Sequence, residues 1–285
     1  MIPAEFTYHV PRSVKEAVDL LAATPDAKVL GGGMSLIPAM KHRLMTPPAL
    51  VDLQRIADLA RIETRADAVA IGGYVTHAAV AKALASVAAA AVVCETAEAI
   101  GDVQVRNRGT IGGSLVHADP AADWPATFLA LDGEATVVGP GGTRKIRAGD
   151  FFTGMLATAV QADEILIQVR LPLAGKGTAY VKVRQPASGF AVVGVAVSLA
   201  LDKQGRCERL AVGVTGVNTS AFRATSVEQK LTGKALVDAE VRAACGTIDE
   251  CDPSGDLYAS ADYRRHLLSV YARRAILKAL QRAKQ

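Results

Sequence analysis

Cysteine is scarce in this chain. The four present (Cys94, Cys207, Cys245 and Cys251) form no CxxC pair and keep no spacing to a histidine that would make a zinc site. An iron–sulfur cluster held by the chain alone is therefore not expected, and idle thiols in a reducing compartment are the simplest reading. Aromatic residues make up only 5% of the chain, no Lys/Arg run is interleaved with them, and the formal charge is +4. That balance argues against a nucleic-acid protein. The longest apolar stretch, Val87 to Val93, is alanine-rich, too short to span a bilayer, and bounded by Cys94-Glu95. The opening MIPAEFTYHVPRS carries an early Glu and no charged-then-apolar leader pattern. A cytoplasmic protein without a transmembrane segment is expected.

Half of the 285 residues are hydrophobic and about a fifth are charged, the composition of a well-packed protein of one large or two ordinary domains. Phe6–Val10 alternates as a short strand, and Ser13 with Glu16 forms a capping box for a helix that stops near Thr24-Pro25-Asp26. Lys28–Leu30 reads as a strand running into Gly31-Gly32-Gly33-Met34-Ser35. A helix over Leu36–Leu44 tolerates Pro38 in its first turn, and Ala49–Leu53 returns as a strand. Strand, helix, strand, helix, strand at this spacing predicts a small parallel βαβαβ unit. Glycines feeding a helix N-terminus suit a phosphate. The dinucleotide pattern GxGxxG nevertheless fails, because Leu36 holds its last position, and no GK[ST] is present.

Further along, Arg61–Thr64 with Ala68–Gly72 and Glu134–Val138 with Arg144–Ile146 read as strand pairs. Thr76–Ala91 reads as a helix, with another over Val92–Ile100. Phe151-Phe152-Thr153-Gly154 reads as an aromatic loop, and Asp163–Val169 as a strand ending at Pro172. Beyond a boundary near Leu173–Lys176, strands over Tyr180–Val183, Ala191–Leu201 and Leu210–Val217 form an antiparallel set. The Val192–Leu199 run is apolar enough to be buried on both faces. Helices near Ser226–Leu231 and Asp238–Cys245 and a long one from Ala261 to Gln281 complete the chain.

A second glycine segment lies at Thr110-Ile111-Gly112-Gly113-Ser114, followed by Leu115-Val116-His117-Ala118-Asp119-Pro120. Paired glycines permit φ > 0 or close backbone approach. Asp119 reads as a helix N-cap, Pro120 as the first helical residue and Asp123 as a first-turn carboxylate, with the helix reaching Leu131. Asp123 suits either a cap or a ribose hydroxyl. Two glycine turns suggest a ligand held at two points. The five histidines (His9, His42, His77, His117, His266) are scattered, and only His117 lies near a suspected site, where a structural role is the simpler reading. No carboxylate pair, nucleophile–base pair or metal set stands out, so no catalytic residue and no metal ligand is assigned. Two ligand-holding turns without an acid, a base or a metal fit chemistry carried by a cofactor. Arg264, Arg265, Arg273, Arg274, Lys278 and Arg282 give the last helix a basic face, for solvation or for an acidic partner.

Leu30-Gly31-Gly32-Gly33-Met34-Ser35-Leu36-Ile37-Pro38-Ala39-Met40-Lys41 and Thr110–Ser114 resemble the two FAD-binding loops of the molybdenum hydroxylase flavoprotein subunit. This is the medium subunit of carbon monoxide dehydrogenase-like enzymes, equivalent to the FAD domain of xanthine dehydrogenase. His117–Asp123, Gly255-Asp256, Ala261–Leu267 and Arg273-Arg274-Ala275 extend the likeness along the whole chain. The resemblance implies an α+β fold. An FAD-binding PCMH-type domain over 1–174 would combine the parallel βαβαβ unit with a mixed or antiparallel subdomain. A C-terminal domain over 175–285, an antiparallel sheet with a helix bundle, would follow.

The resemblance also implies site residues. Backbone N–H groups of Val29, Leu30, Gly31, Gly32, Gly33, Met34, Ser35 and Leu36 would hold the pyrophosphate of FAD. Thr110, Ile111, Gly112, Gly113 and Ser114 would hold the rest of the diphosphate–ribityl region. Asp123 matches a position that hydrogen-bonds the cofactor, and Ile100 one beside the isoalloxazine ring. Leu166 matches a packing contact, and Lys182 a polar or charged neighbour of the ring. Met34 departs from relatives with His or Gln there and cannot form a covalent flavin bond, so the FAD would be non-covalent. Ser114 stands where several relatives have Asp or Asn.

The family implies partners as well: a large molybdopterin subunit and a small subunit with iron–sulfur clusters, assembled as a dimer of heterotrimers. The chain would take electrons from those clusters and pass them to a terminal acceptor. A different expectation is a stand-alone FAD-dependent oxidoreductase with its own substrate. A third is a scaffold without cofactor, which the intact glycines argue against. These motifs encode neither the substrate nor the acceptor (NAD, quinone or oxygen).

Overall fold

The computed structural model describes residues 2–173 and 175–285. Met1 and Ala174, the outer limits of the expected first domain, lie outside the described residues. The chain opens with β1 (Thr7–His9), α1 (Val14–Ala23), β2 (Lys28–Leu30), α2 (Leu36–Lys41) and β3 (Ala49–Asp52). The strands form a parallel sheet in the order β1-β3-β2. Ser13 Oγ caps α1 by accepting from the Glu16 amide at 3.1 Å. The Glu16 carboxylate reaches back to the Arg12 amide at 2.7 Å, one residue before the usual capping-box partner. Ala17, Val18 and Leu21 then bury one face of the helix against Ala49 and Val51.

A hairpin of β4 (Ile62–Thr64) and β5 (Ala68–Gly72) leads into a helical stretch: α3 (His77–Leu84), α4 (Ala91–Ala99), α5 (Val103–Arg108), α6 (Ile111–His117) and α7 (Trp124–Ala130). After it come β6 (Glu134–Gly139), β7 (Gly142–Arg147), α8 (Ala148–Phe151), β8 (Phe152–Gly154), β9 (Ala157–Thr158) and β10 (Ile165–Pro172). An antiparallel sheet of order β4-β5-β10-β6-β7 carries the main core, and β8 pairs with β9. Along β6 Ala135 and Val137 are buried between half-buried neighbours, the two-residue period of a sheet with one covered face.

The rest comprises β11 (Thr178–Arg184), β12 (Ala191–Leu201), β13 (Cys207–Thr215), β14 (Phe222–Arg223), α9 (Thr225–Leu231), α10 (Asp238–Gly246) and α11 (Ala261–Ala283). These strands form an antiparallel sheet in the order β11-β12-β13-β14. β12 is buried on both faces, as its composition predicts, because two helices sandwich it. Val193, Val195, Val197 and Leu199 pack with Leu268, Ala272 and Ile276 of α11. The opposite face carries Gly194, Ala196 and Ser198, and α7 packs there. A Cβ on Gly213 of β13 would lie 2.0 Å from the Ala126 carbonyl oxygen, so glycine lets the α7 backbone rest directly on the sheet.

Four expectations need correction. No helix starts at Asp119. Thr110 caps α6 instead, which runs through the glycine pair to His117 and ends at Ala118 in the left-handed region (φ 50°). Asp119 Oδ1 caps only a turn, accepting from the Ala121 amide at 2.8 Å, and α7 begins at Trp124. The helix expected over 76–91 ends at Leu84, and the expected aromatic loop is the end of α8 with strand β8. The basic face of α11 is largely consumed within the molecule. Arg273 pairs with Asp238 at 2.6 Å, and Arg264, buried, binds Asp256 and the carbonyls of Val192 and Gly216. Lys278 and Arg282 both bind Glu95 of α4, at 2.5 and 2.6 Å.

Candidate functional site

The parallel sheet, α6, and the β8–β9 and β10 region enclose a cleft of about 650 Å³. That lies within the ~300–1,000 Å³ usual for cofactor sites. The Gly31–Leu36 segment forms one wall and the Thr110–Ser114 segment another. The two walls touch. A Cβ on Gly31 would lie 2.9 Å from Thr110 Oγ1 and 3.8 Å from Gly113 Cα, and one on Gly32 would lie 2.0 Å from the Arg108 carbonyl oxygen. Glycine is required here for close approach of backbones. Among these glycines only Gly33 has positive φ, at 76°.

Hydrogen bonding separates the walls. The amides of Gly32, Gly33, Met34 and Ser35 donate to no protein acceptor among the described residues, and all four residues line the cleft. Ser35, at the N-cap position of α2, makes no side-chain cap. In the other wall the amides after Thr110 are committed: Ile111 to Val75 O at 3.0 Å, Gly112 to Gly73 O at 3.1 Å, Gly113 to Thr110 Oγ1 at 3.1 Å and Ser114 to Thr110 O at 3.0 Å. Polar groups of a backbone seldom go unpaired without a ligand or solvent to meet them. Gly113 has no atom but Thr110 Oγ1 within 4 Å of a Cβ position, so a bare backbone faces the cleft. A row of free N–H groups opposite a bare wall fits an elongated ligand rich in acceptor oxygens, as the diphosphate of FAD is.

Of the residues implied for the cofactor, Val29, Gly31, Gly32, Gly33, Met34, Ser35, Leu36, Ile100, Thr110, Gly112, Gly113, Ser114, Asp123 and Leu166 line the cleft. Leu30, Ile111 and Lys182 do not: Leu30 lies in β2 and Ile111 is fully buried. Lys182 stands behind Asp123, and both side chains are about 5% exposed or less. Its Nζ lies 2.8 Å from Asp123 Oδ1 and donates to the Ala99 carbonyl at 3.0 Å, while Tyr180 OH donates to Asp123 at 2.5 Å. Burial pushes the Asp123 carboxyl up and the Lys182 ammonium down, and the ion pair opposes both shifts. Burial, then the Asp123 charge, raises the Tyr180 phenol well above its ordinary value, so it remains a donor. Asp123 thus ties the chain between α6 and α7 to β11.

The corner Ala99–Gly101, with Ile100 on the cleft, is held by cations from two sides. Lys182 and Arg184 bind the Ala99 carbonyl, and Arg106 Nη1 binds those of Ile100 and Gly101 at 3.0 and 3.3 Å. Cations at a helix C-terminus meet its exposed carbonyls and its dipole. Burial alone would raise the Glu95 carboxyl on the same helix. The bonds from Arg282, Lys278 and the Tyr180 amide hold it below the usual value instead.

His117 closes α6 and lines the cleft, its Nε2 4.0 Å from Asp119 Oδ2. Sequence reasoning missed His77 and Gly109, which also line it, and the Ser188–Phe190 turn contributed by the C-terminal sheet. Only the pairing of a lone tryptophan, Trp124, with a histidine capable of accepting from it could have pointed to His77. Nothing local flags the turn. Among the described residues no cluster of His, Cys, Asp or Glu could hold a metal, and no helix is long and apolar enough to cross a membrane.

Comparison with known proteins follows the same lines. Residues 4–174 match a family described as the FAD binding domain in molybdopterin dehydrogenase, and 178–279 one described as the CO dehydrogenase flavoprotein C-terminal domain. The carbon monoxide dehydrogenase medium chain of Hydrogenophaga pseudoflava is 36% identical over 97% of each chain. The 6-hydroxypseudooxynicotine dehydrogenase complex subunit alpha of Paenarthrobacter nicotinovorans is 34% identical over 100% of this chain and 97% of its own. A solved carbon monoxide dehydrogenase from H. pseudoflava, lacking the Mo-pyranopterin moiety, superposes with a TM-score of 0.92 at 37% identity over 99% of both chains.

Proposed function

Because the chain belongs to the family of FAD-binding subunits of molybdopterin dehydrogenases, we propose that it is the electron-transfer flavoprotein subunit of such a complex and holds FAD in the cleft between its two glycine segments. FAD, when bound, would supply the redox chemistry that links partner iron–sulfur clusters to a terminal acceptor; the protein's own residues would bind it and orient it. The observation that carries this reading is the row of unpaired amides from Gly32 to Ser35 on the cleft wall.

In this reading Val29 to Leu36 hold the diphosphate through backbone N–H groups, with Leu30 contributing only main chain. Thr110 to Ser114 supply a bare wall and two hydroxyls, and Ile100 and Leu166 pack beside the ring. Asp123 offers its remaining lone pairs to the cofactor, while Lys182 orients Asp123 and lends positive charge from behind it. Met34 has no group to form a covalent flavin bond, so the cofactor is exchangeable. Residues 1–174 and 175–285 serve as the FAD-binding and C-terminal domains.

The chain is one subunit of a larger assembly in this reading. A large molybdopterin subunit oxidises substrate, a small subunit carries the iron–sulfur clusters, and the heterotrimer pairs into a dimer in the cytoplasm. Purification followed by denaturation should release about one FAD per chain. A colourless protein that also fails to take up added FAD sinks the proposal.

A further inference from the structure

Under the second glycine segment lies a histidine that the reading above leaves without a task. His77 opens α3, is 3% exposed and lines the cleft. Its Nδ1 lies 3.0 Å from Nε1 of the buried Trp124. An indole N–H can only donate, so Nδ1 must present its lone pair and the ring proton belongs on Nε2. Burial, and then the Arg106 charge, pushes the imidazole down to about 4, so the ring stays neutral at ordinary pH. The tautomer is therefore set by a fixed neighbour.

The other ring nitrogen has no such partner. No protein group among the described residues accepts from Nε2. Yet among the described residues the sealed polar atoms left without partners are Thr178 Oγ1 and Arg264 Nε, so Nε2 is not shut inside the core. It faces Gly109, another residue of the cleft wall: a Cβ there would lie 2.7 Å from Nε2, and glycine leaves the approach clear. The His77 amide donates to the Gly109 carbonyl at 3.0 Å, and Thr76 forms a bridge with Thr110, so ring and wall are held as one unit. A nine-tenths buried donor whose orientation is fixed and whose proton is unclaimed is costly unless a ligand atom accepts from it.

We propose that His77 is a fixed, neutral hydrogen-bond donor of the cleft, giving its Nε2–H to an oxygen or nitrogen acceptor of bound FAD, with Trp124 as the positioning residue that holds the tautomer. The inference rests on the cleft being the FAD site. FAD is titrated into the full chain stripped of flavin, as wild type, His77→Asn and His77→Gln. Asn keeps an oxygen for the Trp124 N–H but reaches no further, whereas the Gln amide extends to the position of Nε2. His77→Asn is expected to bind FAD about tenfold more weakly, and His77→Gln to return to within about threefold of wild type.

The imidazole ¹⁵N spectrum supplies the independent readout. FAD should shift the His77 Nε2–H signal and leave Nδ1 unprotonated. Equal FAD affinity in wild type and a folded His77→Asn, or an Nε2–H signal that FAD leaves unmoved in the wild type, overturns the inference. Should His77→Asn not fold, the wild-type spectrum decides by itself. Failure of the wild type to bind FAD overturns the underlying reading instead, so the two failures are told apart.

Discussion

The two glycine segments look alike on paper and do opposite work. In Gly31–Ser35 the amides from Gly32 onward find no acceptor among the described residues, and Gly33 at φ 76° turns the chain into α2. Thr110–Ser114 is the start of a helix in which the amides from Ile111 to Ser114 are committed to Val75, Gly73 and Thr110. One segment offers donors and the other offers a rigid surface. The difference teaches that a glycine pair reports close approach without saying what approaches. At Gly112 it is the Gly73 carbonyl, 2.4 Å from a would-be Cβ.

The comparison can be broken or sharpened in order of size. The rigid side is anchored downstream by the buried Asp123–Lys182 pair, so Lys182→Met should have the largest effect. It strands a buried carboxylate and should cost about 3–5 kcal/mol of unfolding free energy. Denaturant titration checks this, and a loss below about 1 kcal/mol would show that the anchor is not a charge pair.

The next effect is the pH dependence contributed by His77, which braces the same side. Its folded-state value is lowered to about 4 from 6.5, so below 6.5 the unfolded chain takes up a proton that the folded chain does not. The stability contributed is complete above pH 6.5, declines from there to about pH 4, and amounts to about 3 kcal/mol. Wild type and His77→Asn, compared by unfolding at pH 7 and pH 4.5, should differ in slope by most of that amount; parallel profiles would mean the imidazole is not held neutral.

Smaller still is a matched pair of glycine substitutions. Gly112→Ala forces a methyl against the Gly73 backbone and should cost about 1–3 kcal/mol of stability, with a smaller loss of FAD affinity than at Gly33. Gly33→Ala strains a left-handed residue by about 1–2 kcal/mol and turns the free amides, so FAD affinity should fall about tenfold. Thermal unfolding and FAD titration on both variants test the contrast, and the same pattern in both would erase it. Ser114→Ala closes the series. Its side chain makes no hydrogen bond among the described residues, and stability should move by less than about 0.5 kcal/mol.

Much of this was legible beforehand where the signal is local. The Ser13 cap, the parallel unit around β3, the doubly buried β12 and the boundaries of α9, α10 and α11 follow from short-range periodicity and capping chemistry. The basic face of α11 misled, because whether an arginine meets water or a carboxylate depends on what packs against it. Glu95, which takes Lys278 and Arg282, is more than 180 positions away in sequence. The Asp119 cap misled for a related reason. Thr110 opened a helix earlier, and the later carboxylate was left to close a turn.

By itself the sequence determined the family, the two glycine segments and the kind of cofactor they suit, because these depend on residues close together in the chain. The tertiary structure decided which segment keeps its amides free, that the Asp123 carboxylate became an anchor to β11, and which two of five histidines, His77 and His117, line the cleft. The physical reason is that a donor's availability depends on the partners brought to it from elsewhere. Gly73, Thr110, Trp124 and Lys182 arrive only when the chain has folded.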